Sequence, residues 1–151
     1  MKWITAGVLL FAIACQNQPG KSNNAATATP TTSEDSLYKE IIALHDEAMP
    51  KMGKLIGYQK TIQVKIDSLT KSLAAKKDAG AAALKADYEN LAKRLANAQT
   101  GMNNWMDSFN YDPKFPSKGE LIEYYQKEKI KAGKMRDEVF EAIDSAAVKI
   151  K

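Results

Sequence analysis

Heptad spacing of apolar residues is the feature that most constrains how this chain folds. One series begins at Leu37, and from Ile41 its steps alternate between four and three. Two positions of the series are polar and are occupied by His45 and Gln59. The other members are Leu37, Ile41, Ala48, Met52, Leu55, Ile62, Ile66, Leu69 and Leu73. Because such steps keep side chains on one helix face, the series predicts a first helix about 60 Å long.

Two further series follow, and each predicts another long helix. The second contains Leu84, Tyr88, Leu91, Leu95, Ala98, Met102, Trp105 and Phe109. The third contains Leu121, Tyr125, Glu128, Ala132, Met135, Val139, Ala142 and Ala146, and it is weaker because it includes a charge and several alanines. No segment shows the strict alternation that is typical of a β-strand.

Residues that cap or break helices fall between these series. Ser33 is a suitable N-cap, Asp78–Gly80 is the expected first turn, and Ser117 to Glu120 fits a capping box. The segment 110–116 holds two prolines and must be a loop, while Pro50 should kink the first helix. Short connections favour antiparallel neighbours. We therefore predict an all-α domain over residues 34–151, an antiparallel up-down-up bundle of three long helices kinked near Pro50.

The first fifteen residues predict export and lipidation. Lys2 precedes the apolar segment 3–14, which is shorter than the roughly 20 residues that a membrane-spanning helix needs. The segment ends in Ala12-Ile13-Ala14, and the only cysteine, Cys15, follows directly. We interpret residues 1–14 as a lipoprotein signal peptide with alanine, not leucine, three residues before the cysteine. A plain exported protein with a free thiol is the alternative.

Residues 15–33 predict a lipidated Cys15 followed by a flexible tether. The segment after the cysteine is small and polar and has no apolar periodicity, so it cannot bury enough surface to fold. Two or three acyl chains on Cys15 would make a stable membrane anchor. Gln16 replaces the aspartate that retains many lipoproteins in the inner membrane, which favours the outer membrane facing the periplasm.

Composition excludes several classes of function. One cysteine and one histidine exclude a disulfide framework and zinc sites rich in these residues. The formal charge of +4 is too small and dispersed to indicate nucleic-acid binding, and the basic segment 127–136 fits a solvated helix face. The sequence has neither a Gly-rich phosphate loop nor a Gly-x-Ser-x-Gly motif, so an enzyme is not expected.

One histidine and four methionines form the candidate binding site. The interpretation as hydrophobic core is open, because methionine fills gaps beside aromatic rings. The alternative is a metal site, since thioether sulfur and imidazole nitrogen select Cu(I). Haem held by the histidine and one methionine is a third option. The residues are His45, Met49, Met52, Met102 and Met106.

If the chain forms a hairpin that turns near Asp78, Met49 and Met52 on one side lie opposite Met102 and Met106 on the other. Met52 then lies level with Asn104, and His45 lies level with Tyr111. We expect Trp105 to close around this end of the bundle.

The segments Leu44–Gly53 and Asn104–Phe109 resemble those of short helical lipoproteins from Bacteroidota. Members of that group often carry the label "viral A-type inclusion protein", which reflects coiled-coil similarity. The resemblance implies location and architecture, and it transfers no catalytic residue. We expect a membrane-anchored, non-enzymatic helical module of the cell envelope with an unknown envelope protein as partner.

Overall fold

The computed structural model describes residues 33–150. The predicted signal peptide, Cys15 and the tether up to residue 32 lie outside them. Helix makes up 88% of the described part, which contains no strand. The sequence prediction of an all-α fold is confirmed. The elements are α1 (Glu34–Ala48), a 3-10 turn (Met49–Lys51), α2 (Met52–Ala75), α3 (Ala79–Ser108) and α4 (Lys118–Lys149).

Two of the predicted helix starts are capped as expected. The Ser36 amide donates to Ser33 Oγ at 3.2 Å, which satisfies one free N–H at the start of α1. At the start of α4, the Glu120 amide donates to Ser117 Oγ, and the Ser117 amide donates to Glu120 Oε2 at 3.2 Å. This reciprocal pair is a capping box.

The first predicted helix is divided at Pro50. Met49, Pro50 and Lys51 form a single 3-10 turn between α1 and α2. Proline has no N–H to donate and its ring clashes with the preceding turn, so the α-helical ladder cannot pass through it unchanged. A short 3-10 segment maintains a helical backbone there. Two helices, not one, therefore carry the first heptad series.

The predicted turn at Asp78–Gly80 is displaced toward the N-terminus. Ala79 and Gly80 already belong to α3, and the connection after α2 consists of residues 76–78. Asp78 causes the shift, because its Oδ1 accepts from the amides of Gly80 at 2.8 Å and Ala81 at 3.2 Å. An aspartate in this role starts a helix.

The helices share one hydrophobic core. α1 packs mainly against α4, whereas α2 packs mainly against α3, and α3 also packs against α4. The 3-10 turn thus separates two parts of the first series that have different main neighbours. The largest fully buried side chains come from every helix: Ile41, Leu55, Ile62, Leu95, Met102 and Val139.

The heptad series predicts the core less well toward the α2–α3 connection. Leu84 is 40% exposed, although its position in the second series predicts burial. Lys149, the last residue of α4, pairs with Asp87. Leu84 lies almost one turn closer to the connection, which leaves it without cover from α4. Within residues 33–150, no helix is long and apolar enough to cross a membrane.

Candidate functional site

His45 lies near the end of α1, against an indole ring. Its imidazole is tilted by 30° over Trp105, with ring centroids 5.6 Å apart. The side chain is 20% exposed, and Nδ1 is 3.0 Å from Asp46 Oδ1. If Nδ1 carries the proton, the carboxylate holds the ring and leaves the lone pair of Nε2 available.

The four candidate methionines occupy different environments. Met102 is fully buried and Met52 is 9% exposed, so both belong to the core. Met106 is half-buried and packs against that core, whereas Met49 is 45% exposed. Met49 is therefore the most exposed sulfur of the four, and it lies one helical turn from His45.

The structure places His45 against Trp105 of α3, whereas the hairpin register predicts that it lies level with Tyr111. The imidazole contacts Trp105, while Tyr111 packs edge-on against Phe109 at a centroid distance of 4.8 Å. The reason is that α3 ends at Ser108, so a helical register cannot be extended to residue 111. Trp105 does lie at this end of the core, as expected.

An aromatic cluster connects α1, α3, α4 and the connection between α3 and α4. Trp105 stacks on Phe109 at 4.9 Å, and Phe109 lies 6.2 Å from Tyr38 of α1. Such ring pairs add about 0.5–1.5 kcal/mol beyond the area that they bury. The members are Tyr38, Trp105, Phe109, Tyr111, Phe115, Tyr124 and Tyr125.

Hydrogen bonds fix the start of the α3–α4 connection to this cluster. The Asn110 amide donates to Tyr124 Oη at 3.0 Å, and the Tyr124 hydroxyl donates back to the Asn110 carbonyl at 3.4 Å. Burial raises the pKa of Tyr124 and of Tyr125, so both phenols stay neutral at physiological pH. The concentration of aromatic residues near residues 105–125 was the sequence signal for this cluster.

Two side chains in or near the aromatic cluster, Trp105 and Glu128, each contain a buried polar atom without a partner. Glu128 is 3% exposed, and its Oε1 accepts from Lys131 Nζ at 2.6 Å. Its Oε2 and the Nε1 of Trp105 make no hydrogen bond within the described part of the chain. The charge at position 128 was evident in the third series, but the unpaired indole nitrogen has no sequence signal.

Ion pairs join the outer edges of α1 and α4. Glu34 pairs with Lys118 at 2.9 Å, Glu40 pairs with Lys129, and Glu47 pairs with Arg136 at 2.9 Å. The hydrogen bonds from the lysines lower the pKa of Glu34 and of Glu40. Part of the basic segment 127–136 therefore pairs with α1.

The described residues place few classical metal ligands together. Within residues 33–150, no three His, Cys, Asp or Glu side chains converge on a point that could hold a metal ion. Comparisons with protein-family models, with curated proteins and with solved structures each find no match to this chain.

Proposed function

We propose that this protein is a lipoprotein of the cell envelope, anchored through Cys15 and acting as a non-enzymatic helical interaction module. One sequence observation carries the proposal. The only cysteine stands directly after Ala12-Ile13-Ala14, at the end of an apolar segment too short to span a bilayer. A thiol at the first mature position is what lipid attachment requires, and the polar segment that follows suits a tether.

We also propose a finer arrangement for the helices, an up-down-up bundle with a kink at Pro50 and coiled-coil packing. Partner numbers rise together between α1 and α4, as in Glu34 with Lys118 and Glu47 with Arg136. They run in opposite directions between α3 and α4, where Asp87 pairs with Lys149 and Asn110 with Tyr124. These pairs support parallel α1 and α4 with an antiparallel α3.

Replacing the cysteine tests the anchor. Cys15→Ser removes the only thiol, so we expect the chain to move from the membrane fraction to the soluble fraction of lysed cells. Gln16→Ser is the matched control, because it changes the neighbouring position and keeps the thiol. Retention of Cys15→Ser in the membrane fraction would contradict the lipid anchor. A parent chain that is itself found in the soluble fraction, with a thiol that alkylating reagents still modify, would support the plain exported protein instead.

A second candidate function is Cu(I) binding, and the environment of His45 favours it. Asp46 holds one ring nitrogen, and Met49 is the exposed thioether one turn away. Cu(I) accepts soft thioether and imidazole ligands. Met102 is fully buried, so a site using all four sulfurs would require the core to open. The residues that fit best are therefore His45 and Met49, which lie one helical turn apart.

Thermal melting with and without Cu(I), under anaerobic reducing conditions, separates a copper site from simple core packing. Binding to the folded state adds about 2.7 kcal/mol at a hundredfold excess over Kd, which raises the melting temperature by several degrees. We expect His45→Ala combined with Met49→Leu to abolish that shift while the protein stays folded. An unchanged melting temperature in the parent removes this candidate.

A further inference from the structure

Two exposed aromatic rings lie close together in the connection between α3 and α4. Tyr111 is 55% exposed and Phe115 is 41% exposed. Every other Trp, Tyr or Phe side chain within residues 33–150 is buried or partly buried. We call residues 110–117 the aromatic loop. Its two rings offer apolar surface that the domain itself leaves uncovered.

Contacts within the domain hold both rings in place. Tyr111 packs edge-on against Phe109 with centroids 4.8 Å apart, and Phe115 lies 5.4 Å from the ring of Tyr124. The Asn110 amide donates to Tyr124 Oη at 3.0 Å, which fixes the start of the loop. Because the rings are already held on one side, their exposed sides can bind a partner with little further loss of entropy.

The chain enters the domain at this same end. Ser33 caps α1, and Glu34 pairs at 2.9 Å with Lys118, the residue that directly follows the aromatic loop. The segment that leads back to Cys15 is therefore attached beside the loop. The 18 positions between Cys15 and Ser33 (33 − 15) can span at most about 60 Å.

An anchor at Cys15 makes a weak membrane contact by this end effective. Attachment converts the second contact into an intramolecular one, with an effective concentration on the order of millimolar for a short linker. A surface that would bind a bilayer poorly as a free protein is then held against it. Two exposed rings beside the point of attachment are suited to this role.

The charges at this end favour a lipid surface without net charge. Its two lysines are both paired, Lys114 with Asp112 at 2.6 Å and Lys118 with Glu34 at 2.9 Å. Because acidic side chains outnumber the lysines, anionic headgroups do not attract this end. Aromatic rings need no such attraction, since they settle at the headgroup level of a bilayer. The acidic residues of the loop and the adjoining helix turns are Glu34, Asp35, Asp107, Asp112 and Glu120.

We propose that the aromatic loop rests on the membrane to which Cys15 anchors the chain, with Tyr111 and Phe115 among zwitterionic headgroups. The proposal rests on the lipid anchor proposed above and adds a second, non-covalent contact with the same membrane. α3 ends at the loop, and its 30 residues place its other end about 45 Å away. The connection at residues 76–78 is thereby directed toward envelope partners.

Quenching of tryptophan emission by brominated lipid tests the contact. The full chain, isolated from membranes, is reconstituted into phosphatidylcholine vesicles with and without bromine on the acyl chains. After removal of residues 1–14, Trp105 is the only tryptophan, and it is 5% exposed. Phe115→Trp and Tyr111→Trp each add a tryptophan in the loop. We expect both variants to lose a larger fraction of their emission to brominated lipid than the parent does.

Val64→Trp is the matched control for the loop variants. Val64 is 68% exposed on α2, about 45 Å along the helices from Glu34, so its replacement should add no quenching. Far-UV circular dichroism checks that each variant keeps its helices. Equal quenching of Phe115→Trp and Val64→Trp would overturn the proposal. Absence of added quenching in both loop variants would also overturn it and would leave the rings for a protein partner.

Failure of the anchor and failure of the loop contact give different results. A native chain that does not float with the vesicles on a density gradient lacks the lipid anchor. Its free Cys15 thiol is then coupled to a maleimide headgroup lipid, which attaches the chain at the same residue, and quenching is measured again. Anionic phosphatidylglycerol should reduce the added quenching, because acidic side chains are in excess at this end. An increase would contradict the contact with zwitterionic headgroups.

Discussion

Trp105 lies where the main features of this molecule meet. Its ring contacts His45 of α1 and Phe109 of the aromatic cluster, and it also lines a shallow groove between α3 and α4. The side chain is 5% exposed. A large aromatic residue at this heptad position therefore bridges α1 and α3, whose backbones make few close approaches. Ring packing, not backbone proximity, connects these two helices.

Truncation of a core leucine should strongly destabilise the domain. Leu55 of α2 is fully buried, and Leu55→Ala removes its contacts and leaves a cavity. We expect the free energy of unfolding to fall by about 2–5 kcal/mol. Urea denaturation followed by far-UV circular dichroism measures this change.

Val64→Ala on the same helix is the matched control for Leu55→Ala. Val64 is 68% exposed, so its truncation should change the free energy of unfolding by no more than about 0.5 kcal/mol. Similar losses in the two variants would contradict the assignment of the α2 face that packs into the core.

For single residues, heptad spacing predicted most of the buried positions. It could not predict where along each helix a neighbouring helix covers them. Leu55, Leu95 and Val139 are buried as expected. Leu84 is exposed because α4 ends beside Asp87, and Ile143 is buried although it stands outside the third series. The number of neighbouring helices at each level decides these cases, and local spacing does not contain that information.

Two helices, α1 and α2, carry the first heptad series, and they pack against different main neighbours. α1 faces α4 with a row of ion pairs, and α2 packs mainly on α3. Pro50 was evident in the sequence as a helix-breaking residue, whereas the change of neighbour across it was not. Aromatic rings lie between α1 and α3, as in the contacts of Tyr38 with Phe109 and of His45 with Trp105, and only the assembled structure shows them.

Acid should weaken the contact between α1 and α4. The pKa of Glu34 and of Glu40 is lowered in the folded protein, first by hydrogen bonds from Lys118 and Lys129. The unfolded state binds protons at a higher pH, near about 4.3. This stabilisation is therefore present above the unfolded pKa and is lost as the pH falls through the folded pKa. We expect the urea midpoint to fall between pH 5 and pH 3.

A charge-neutral variant attributes this loss to the contact between helices. Glu40→Gln should reduce the fall in the urea midpoint, since residue 40 no longer takes up a proton. Glu89→Gln is the control, because the partner of Glu89 is Lys85 on the same helix. If Glu89→Gln reduced the acid sensitivity as much as Glu40→Gln, the contribution of the α1–α4 ion pairs would be refuted.

At the scale of the whole molecule, the described helices form one core that the aromatic cluster closes at one end. Sequence periodicity predicted the all-α class because three long series repeat with the same spacing. It did not predict the contact of His45 with Trp105, since a hairpin register assumes that α3 continues beyond Ser108.

Lipid anchoring of the chain at Cys15 is the central proposal, and one mass measurement tests it directly. The protein is isolated from the membranes of the cells that make it, digested with protease, and its N-terminal peptide is weighed by mass spectrometry. We predict a peptide that begins at Cys15 and carries the added mass of two or three acyl chains. An N-terminal peptide with an unmodified Cys15, or one that retains residues 1–14, would contradict the account.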